Sequence, residues 1–371
     1  MNTGNNDRLL SIDALRGFDM FWIIDIGWAS LWYGLAKLTD WQVFNWWSVQ
    51  MTHAQWDGFR FYDMIFPLFL FIAGLSFPFS WEKNLQKGIS QKAIYVKVIR
   101  RALILILIGL VVNNNILTFN FEKGFRYTGV LFRIGTAWMF AAFIFMNTKR
   151  NGRILWCAGL LIFYWLMIAL IPAPDFPDAP RFSREGSFAC YIDRTLGVAR
   201  TLSTEVGISG IIPSISTALL GMLTGAFVKT SKEGLTQTKK VLYMAGAGVV
   251  LILLGQLWGL VFPINKPMWS SSYVCFVGGL SLLLFSLFYW IIDVCGYRRW
   301  AFFFTVIGMN SITIYVATSL IDFEYTANFL FGGLVRFFPE TWALLLEGIT
   351  FVIVCWFFLY FLYKRKIFLK V

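Results

Sequence analysis

Asp63-Met64-Ile65-Phe66-Pro67-Leu68-Phe69-Leu70-Phe71-Ile72-Ala73-Gly74-Leu75-Ser76-Phe77-Pro78-Phe79 decides the fold. After Asp63 the stretch carries no charge until Glu82. A helix rising ~1.5 Å per residue needs ~20 apolar residues to cross the hydrocarbon core of a bilayer, and this run with its flanks supplies them. Its apolar residues follow one another without the period-two alternation of a barrel strand, so the reading is helix. Just ahead of it comes His53-Ala54-Gln55-Trp56-Asp57-Gly58, with the only histidine among 371 residues.

The rest of the chain has the same character. It is 58% hydrophobic, 19% aromatic and 14% charged, with a mean hydropathy of +0.66. A soluble domain carries about a quarter charged residues. Backbone polar groups in lipid must be satisfied internally, which leaves helices or closed barrels. The expected fold is therefore all-α, a polytopic transmembrane helix bundle with about ten spans. They fall at roughly 13–35, 60–82, 96–116, 126–147, 152–172, 210–229, 239–262, 270–293, 298–321 and 340–364. One domain over 1–371 is expected, with the long Pro-rich and charged loop 173–209 as an extracytoplasmic cap.

Charge then sorts the connections. Arg8, Lys83, Lys87, Lys92, Lys97, Arg100, Arg101, Lys149, Arg150, Arg153, Lys229, Lys232, Lys239, Lys240, Arg298, Arg299 and the basic tail from Lys364 all fall on alternate turns. The positive-inside bias puts those turns and both termini in the cytoplasm. The net charge of +12 is accounted for by that bias, and no nucleic-acid partner is expected. His53 then lies on the opposite face, near the membrane surface. The first apolar run contains Asp13, Arg16, Asp19 and Asp25, unlike a cleavable signal peptide. Cys157, Cys190, Cys275, Cys295 and Cys355 show no metal-type or CxxC spacing, and no metal is expected.

Charges inside spans are costly and mark the bundle interior or an aqueous cavity. Asp13 and Arg16, three residues apart, can pair on one helix face, and a salt bridge at the helix end would account for Asp13 and Asp19. Asp25 is mid-span with no basic residue three or four positions away. Asp63 and Arg133 both fall in the outer half of the membrane, as candidates for a buried ion pair. His53 sits in a Trp-rich loop (Trp41, Trp46, Trp47, Trp56), and its imidazole suits proton transfer near neutral pH. A nearby carboxylate such as Asp63 could fix its tautomer. The turn Phe262-Pro263-Ile264-Asn265-Lys266-Pro267-Met268-Trp269-Ser270 is rigid, and Lys266 is its only charge. Asn310 is expected in the middle of the ninth span, where an amide needs a partner on another helix.

Several of these segments resemble the heparan-alpha-glucosaminide N-acetyltransferase family of transmembrane acyltransferases, in its bacterial form. They are Arg8-Leu-Leu-Ser-Ile-Asp13-Ala-Leu-Arg16-Gly17, His53-Ala-Gln-Trp56-Asp-Gly58 with Asp63-Met-Ile-Phe-Pro67, and Gly129-Val-Leu-Phe-Arg133. Pro263-Ile-Asn265-Lys266 with Trp269-Ser270, and Gly308-Met-Asn310-Ser311, complete the set. The histidine followed ten residues later by Asp-Met-Ile-Phe-Pro is the specific element. The resemblance implies an enzyme that moves an acetyl group from cytoplasmic acetyl-CoA to an amino sugar or sugar hydroxyl on the far side of a bacterial inner membrane. It implies His53 and Asp63 as catalytic residues. Arg16 and Arg133, with Arg100, Arg101 and Arg153, are the candidates to contact acetyl-CoA. Asp25, Trp56, Asn265, Lys266, Trp269, Ser270 and Asn310 are the candidates to contact the acceptor. Lysosomal members have an asparagine near the outer end of the first helix where this chain reads Asp25-Ile26-Gly27, which leaves amine and hydroxyl acceptors both open.

His53 is expected to act as general base in a direct attack on the thioester, with an acetyl-imidazole intermediate as the other route. Expected partners are acetyl-CoA, a glycan acceptor and membrane lipids, with homodimerisation left open. Two other classes remain: a transporter or flippase using Asp25, Asp63 and Arg133, and an O-acetyltransferase of cell-envelope polysaccharide. Transfer across the membrane requires a passage for the pantetheine arm between the first, second and fourth spans.

Overall fold

The structure, a computed structural model, describes residues 9–23, 27–39, 41–114, 127–197 and 206–369. Asp25 lies outside the described residues. The helices are, in order, α1 (Leu10–Ile23), α2 (Gly27–Thr39), α3 (Gln42–Gln50), α4 (Phe61–Gln86), α5 (Gln91–Asn114), α6 (Val130–Asn147), α7 (Arg150–Leu170) and α8 (Phe188–Thr195). They continue with α9 (Ile211–Lys229), α10 (Gln237–Gly259), α11 (Ser271–Tyr289), α12 (Ala301–Met309), α13 (Ser311–Leu320), α14 (Phe323–Val335) and α15 (Glu340–Lys364). Among the described residues no strand forms, and one antiparallel bridge joins Pro172 to Ser187.

Seven helices are long and apolar enough to cross a membrane: α4, α6, α7, α9, α10, α11 with its π-helical continuation to Val294, and α15 from Trp342. The pair α12 and α13 passes the same test but is bent by 67°. The predicted span 96–116 falls on α5, which starts too rich in Lys and Arg to qualify by composition. The span 13–35 falls on α1 and α2, either side of residues outside the description. The molecule is a multi-pass helical membrane protein.

One expectation needs correction. The ninth span is not one straight helix. It breaks at Asn310, whose backbone (φ −125°, ψ 32°) leaves the helical region. The buried Asn310 amide donates to the Ile367 carbonyl at 3.1 Å and accepts from the Thr313 hydroxyl at 3.3 Å. A polar side chain in an apolar interior must be satisfied, and here that goes with the loss of a helical turn. Two short helices, α3 and α14, lie in connections between spans.

Helix α4 is the hub. Every residue from Asp63 to Leu75 is buried, which explains why its apolar run has no helical period. It packs on α1, α6, α9 and α11. Against α9 the backbones meet through small residues: a Cβ on Gly74 would collide with the Ala218 carbonyl, and one on Gly221 with the Phe71 carbonyl. Close approach of this kind supplies dispersion where lipid offers no hydrophobic drive between helices.

The basic turns gather at one end of the bundle. Lys229 pairs with Glu82, Lys97 donates to Asn84 at 3.1 Å, Asn147 donates to Tyr95, and Tyr289 donates to Gln237 at 2.6 Å. The other end holds the His53 loop, the 172–197 segment and the 263–270 turn. All five cysteines are free.

Replacing Gly221 by Val forces α4 and α9 apart and should cost on the order of 2 kcal/mol, read as a lowered thermal midpoint in detergent. Gly159→Ala, at a helical site with open space around the missing Cβ, should leave that midpoint unchanged or raise it.

Candidate active site

Asp63 stands in the first turn of α4, where an acidic side chain can reach back to the amide that starts the helix. Its Oδ2 accepts from the Arg60 amide at 3.0 Å and from the Ala54 amide at 3.2 Å. Those two bonds pull residues 53–60 back over the helix end. They also bring His53 Nδ1 to 2.8 Å from Asp63 Oδ1. The Asp63 side chain is wholly buried, while that of His53 is 51% exposed. With Nδ1 on the carboxylate, Nε2 is the nitrogen left to face an approaching molecule. The Tyr62 ring flanks the imidazole with centroids 4.8 Å apart.

The basic partner of Asp63 is Lys266, not the expected Arg133. The buried Lys266 Nζ lies 3.7 Å from Asp63 Oδ1, and 3.0 and 3.1 Å from His53 Nδ1 and Nε2. The turn that carries it is locked by its own side chains. Asn265 Oδ1 accepts from the Met268 amide at 2.7 Å, and Ser270 Oγ accepts from the Asn265 amide at 3.0 Å. Asn265 also donates to Asp57 at 3.1 Å, and the Gly58 amide donates to the Ile264 carbonyl at 2.8 Å, so this turn and the His53 loop form one unit. Trp269 takes a left-handed backbone (φ 56°) that a bulky residue rarely adopts. Its buried indole is held by Thr217 at 3.2 Å and by the Phe66 and Tyr273 rings. Asn265, Trp269 and Ser270, expected to contact acceptor, are fully buried; they hold Lys266 in place.

Arg133 sits over the Trp269 ring at 4.7 Å and donates to the Val206 carbonyl. Beside it the buried Asp193 accepts from the Ile208 amide at 3.1 Å and from the Gly207 amide. Burial pushes the Asp193 carboxyl up, against the pull of those amides and of Arg133. Trp56 donates to the Phe182 carbonyl at 2.8 Å, and Arg184 lies over its ring at 5.0 Å, so Trp56 ties the His53 loop to the 172–197 segment. In that segment Arg194 grips Asp175 through two bonds of 2.7 and 2.8 Å. The Arg194 guanidinium holds the Asp175 carboxyl below the usual carboxylate range.

The other arginines expected to contact acetyl-CoA lie toward the basic end. Arg16 donates to Ser76 at 2.8 Å and lies 3.6 Å from Asp13. Arg101 lies over the Trp138 ring at 4.5 Å. Among the described residues the buried Arg101 Nε donates to nothing. Arg153 is spent on the Phe145 carbonyl at 2.8 and 3.1 Å, and Arg100 is exposed. Asn310, at the helix break, is tied to the C-terminal tail. Asp19, read as part of a terminal salt bridge, is instead fully buried, with neither oxygen hydrogen-bonded among the described residues.

Ser76 follows Asp63 by thirteen positions on α4, which sets the two about 20 Å apart along the axis. Between these levels lies a small apolar cavity of about 20 Å³, lined by Met20 and Ile23 of α1, Phe66 and Phe69 of α4, Ile134 of α6 and Tyr315 of α13 among others. It is far smaller than the passage expected between the first, second and fourth spans. Sequence reasoning missed Tyr273, whose hydroxyl donates to the Asp63 carbonyl at 2.6 Å, because nothing marks it out within an apolar run. Asp193 was missed among the loop's other charges. Among the described residues no three His, Cys, Asp or Glu side chains converge to hold a metal.

Residues 8–267 match the family described as heparan-alpha-glucosaminide N-acetyltransferase, catalytic. The chain is similar to the heparan-alpha-glucosaminide N-acetyltransferases of Mus musculus, 28% identical over 98% of this chain, and Homo sapiens, 27% identical over 98% of it. It spans 61% and 60% of the length of those relatives.

A carboxyl held low in the fold stabilises it above the unfolded range near pH ~4 and loses that contribution as pH falls through it. The stretch around Asp175 should therefore resist proteolysis at neutral pH and open to an acid protease below pH ~4, whereas Asp193, pushed up by burial, gives no loss in acid. Arg194→Gln should make that stretch susceptible already at neutral pH, as judged by the cleavage pattern on gels.

Proposed function

The chain belongs to the heparan-alpha-glucosaminide N-acetyltransferase catalytic family, and on that premise we propose that it transfers an acetyl group from acetyl-CoA to an amino sugar or sugar hydroxyl, with His53 as general base. The observation that carries this reading is the 2.8 Å bond from His53 Nδ1 to the buried Asp63. It leaves Nε2 on a half-exposed ring, where an acceptor N–H or O–H can reach it. The acceptor atom attacks the thioester carbonyl carbon as its proton passes to Nε2. The carbon–sulfur bond then breaks and CoA leaves. Asp63 keeps the tautomer fixed and stabilises the imidazolium.

Acetyl-CoA would enter from the basic end, taken as cytoplasmic. Arg16 and Arg101 suit its phosphates: both are guanidinium groups of the bundle, and Arg101 keeps an unused buried donor at Nε. The pantetheine arm would run between α1, α4 and α6 toward His53, along the line of the small apolar cavity and with these helices parting to admit it, a reach of about 20 Å that the spacing on α4 sets. The 172–197 segment would cap the acceptor side through Trp56. Arg133 and Asp193 would anchor that cap, and Arg100 and Arg153 would serve topology and the α6–α7 turn. Bringing donor and acceptor together is the main catalytic contribution.

His53→Ala should abolish acetylation of a glucosaminide by the purified protein while acetyl-CoA still binds, followed by calorimetry and mass spectrometry of the product. Movement of a sugar substrate without acetyl-CoA, unaffected by this change, would favour a transporter. Ile134→Trp, which fills the cavity, should raise KM for acetyl-CoA by on the order of tenfold while leaving binding of the acceptor alone unchanged.

A further inference from the structure

Lys266 is buried against the imidazole in a way that the base role of His53 does not require. A nitrogen equally far from Nδ1 and Nε2, at 3.0 and 3.1 Å, cannot lie along the in-plane lone pair of either. The ammonium therefore sits across the ring and leaves the outward lobe of Nε2 open. Asp63 balances its charge from 3.7 Å. Four other polar side chains of the site, Arg60, Asn265, Trp269 and Ser270, donate to the protein itself. Arg60 bonds the His53 carbonyl at 3.0 Å. Asn265 bonds Asp57, Trp269 bonds Thr217, and Ser270 bonds the Pro263 carbonyl.

We infer that Lys266 stabilises the oxyanion formed during acetyl transfer. The inference rests on the acetyltransferase reading. An acceptor nitrogen hydrogen-bonded to Nε2 attacks the carbonyl carbon and gives its proton to His53. The carbonyl π pair moves onto oxygen, which then lies next to the cation flanking Nε2. Collapse restores the C=O bond and breaks the carbon–sulfur bond. The thiolate takes the proton from the imidazolium and leaves as CoA thiol. A fixed cation where charge develops, shielded from water, is an effective way to lower such a barrier. Lysine brings three donors to that point.

The test compares acetyl-CoA with its dithioester analogue, in which sulfur replaces the carbonyl oxygen and accepts hydrogen bonds poorly. Both are assayed with a glucosaminide acceptor. Lys266→Met should lower kcat with acetyl-CoA by about 10²–10³-fold, with KM for acetyl-CoA within about threefold of the parent. It should also erase most of the parent's preference for acetyl-CoA over the dithioester. Lys266→Arg should recover part of the rate and the preference. If Lys266→Met does not survive purification, Lys266→Gln carries the same comparison. Equal slowing on both donors, or a change in KM alone, would overturn the inference and leave Lys266 a packing partner of Asp63. A parent protein that transfers no acetyl group from acetyl-CoA would instead overturn the acetyltransferase reading.

Discussion

One buried carboxylate governs the outer end of this bundle. Asp63 has no contact with solvent, and an ionised group so placed must be met by donors or a countercharge. Four groups meet it: two amides, an imidazole and an ammonium. Each draws in a different part of the chain. The Arg60 and Ala54 amides bend the loop back over α4, and His53 is carried with them. Lys266 brings the 263–270 turn, and that turn in turn needs Asn265, Ser270 and a left-handed Trp269 to hold its shape. Much of the local structure follows from satisfying a single charge.

This explains which features could be read from the sequence and which could not. Uninterrupted apolar runs and clustered Lys and Arg announce a helical membrane protein, because the bilayer imposes its demands on composition directly. The partnership of His53 and Asp63 was legible too, since a helix-capping turn is a local device and the two residues are close in sequence. The countercharge was not. Lys266 and Arg133 are both lone cations near predicted outer helix ends, and only tertiary packing decides between them. Asn265, Trp269 and Ser270 were read as acceptor contacts for a similar reason. The residue types that bind a ligand are the same ones that pin a rigid turn, and their complete burial shows only in three dimensions. Likewise the amide of Asn310 was expected to bridge two helices, but the partner it finds, Ile367 in the tail, comes with a broken helix.

The opposite end is organised differently. There Arg16 has Asp13 and Ser76 around it, and Arg101 lies over an indole with its buried Nε unused among the described residues. A buried donor on a cation favours an anionic partner. In the proposed reaction the phosphates of the donor would supply it.

Helix α4 touches both ends, with Asp63 in its first turn and Ser76 farther along. Its glycine seam with α9 packs backbone against backbone, which fixes α4 between the two ends. The helix is in effect a ruler. In the proposed reaction, a donor held at the Arg16 mark would deliver its acyl group to His53 only if its arm matched that length. Selection among activated acetyl compounds would then be a matter of reach as much as of chemical recognition.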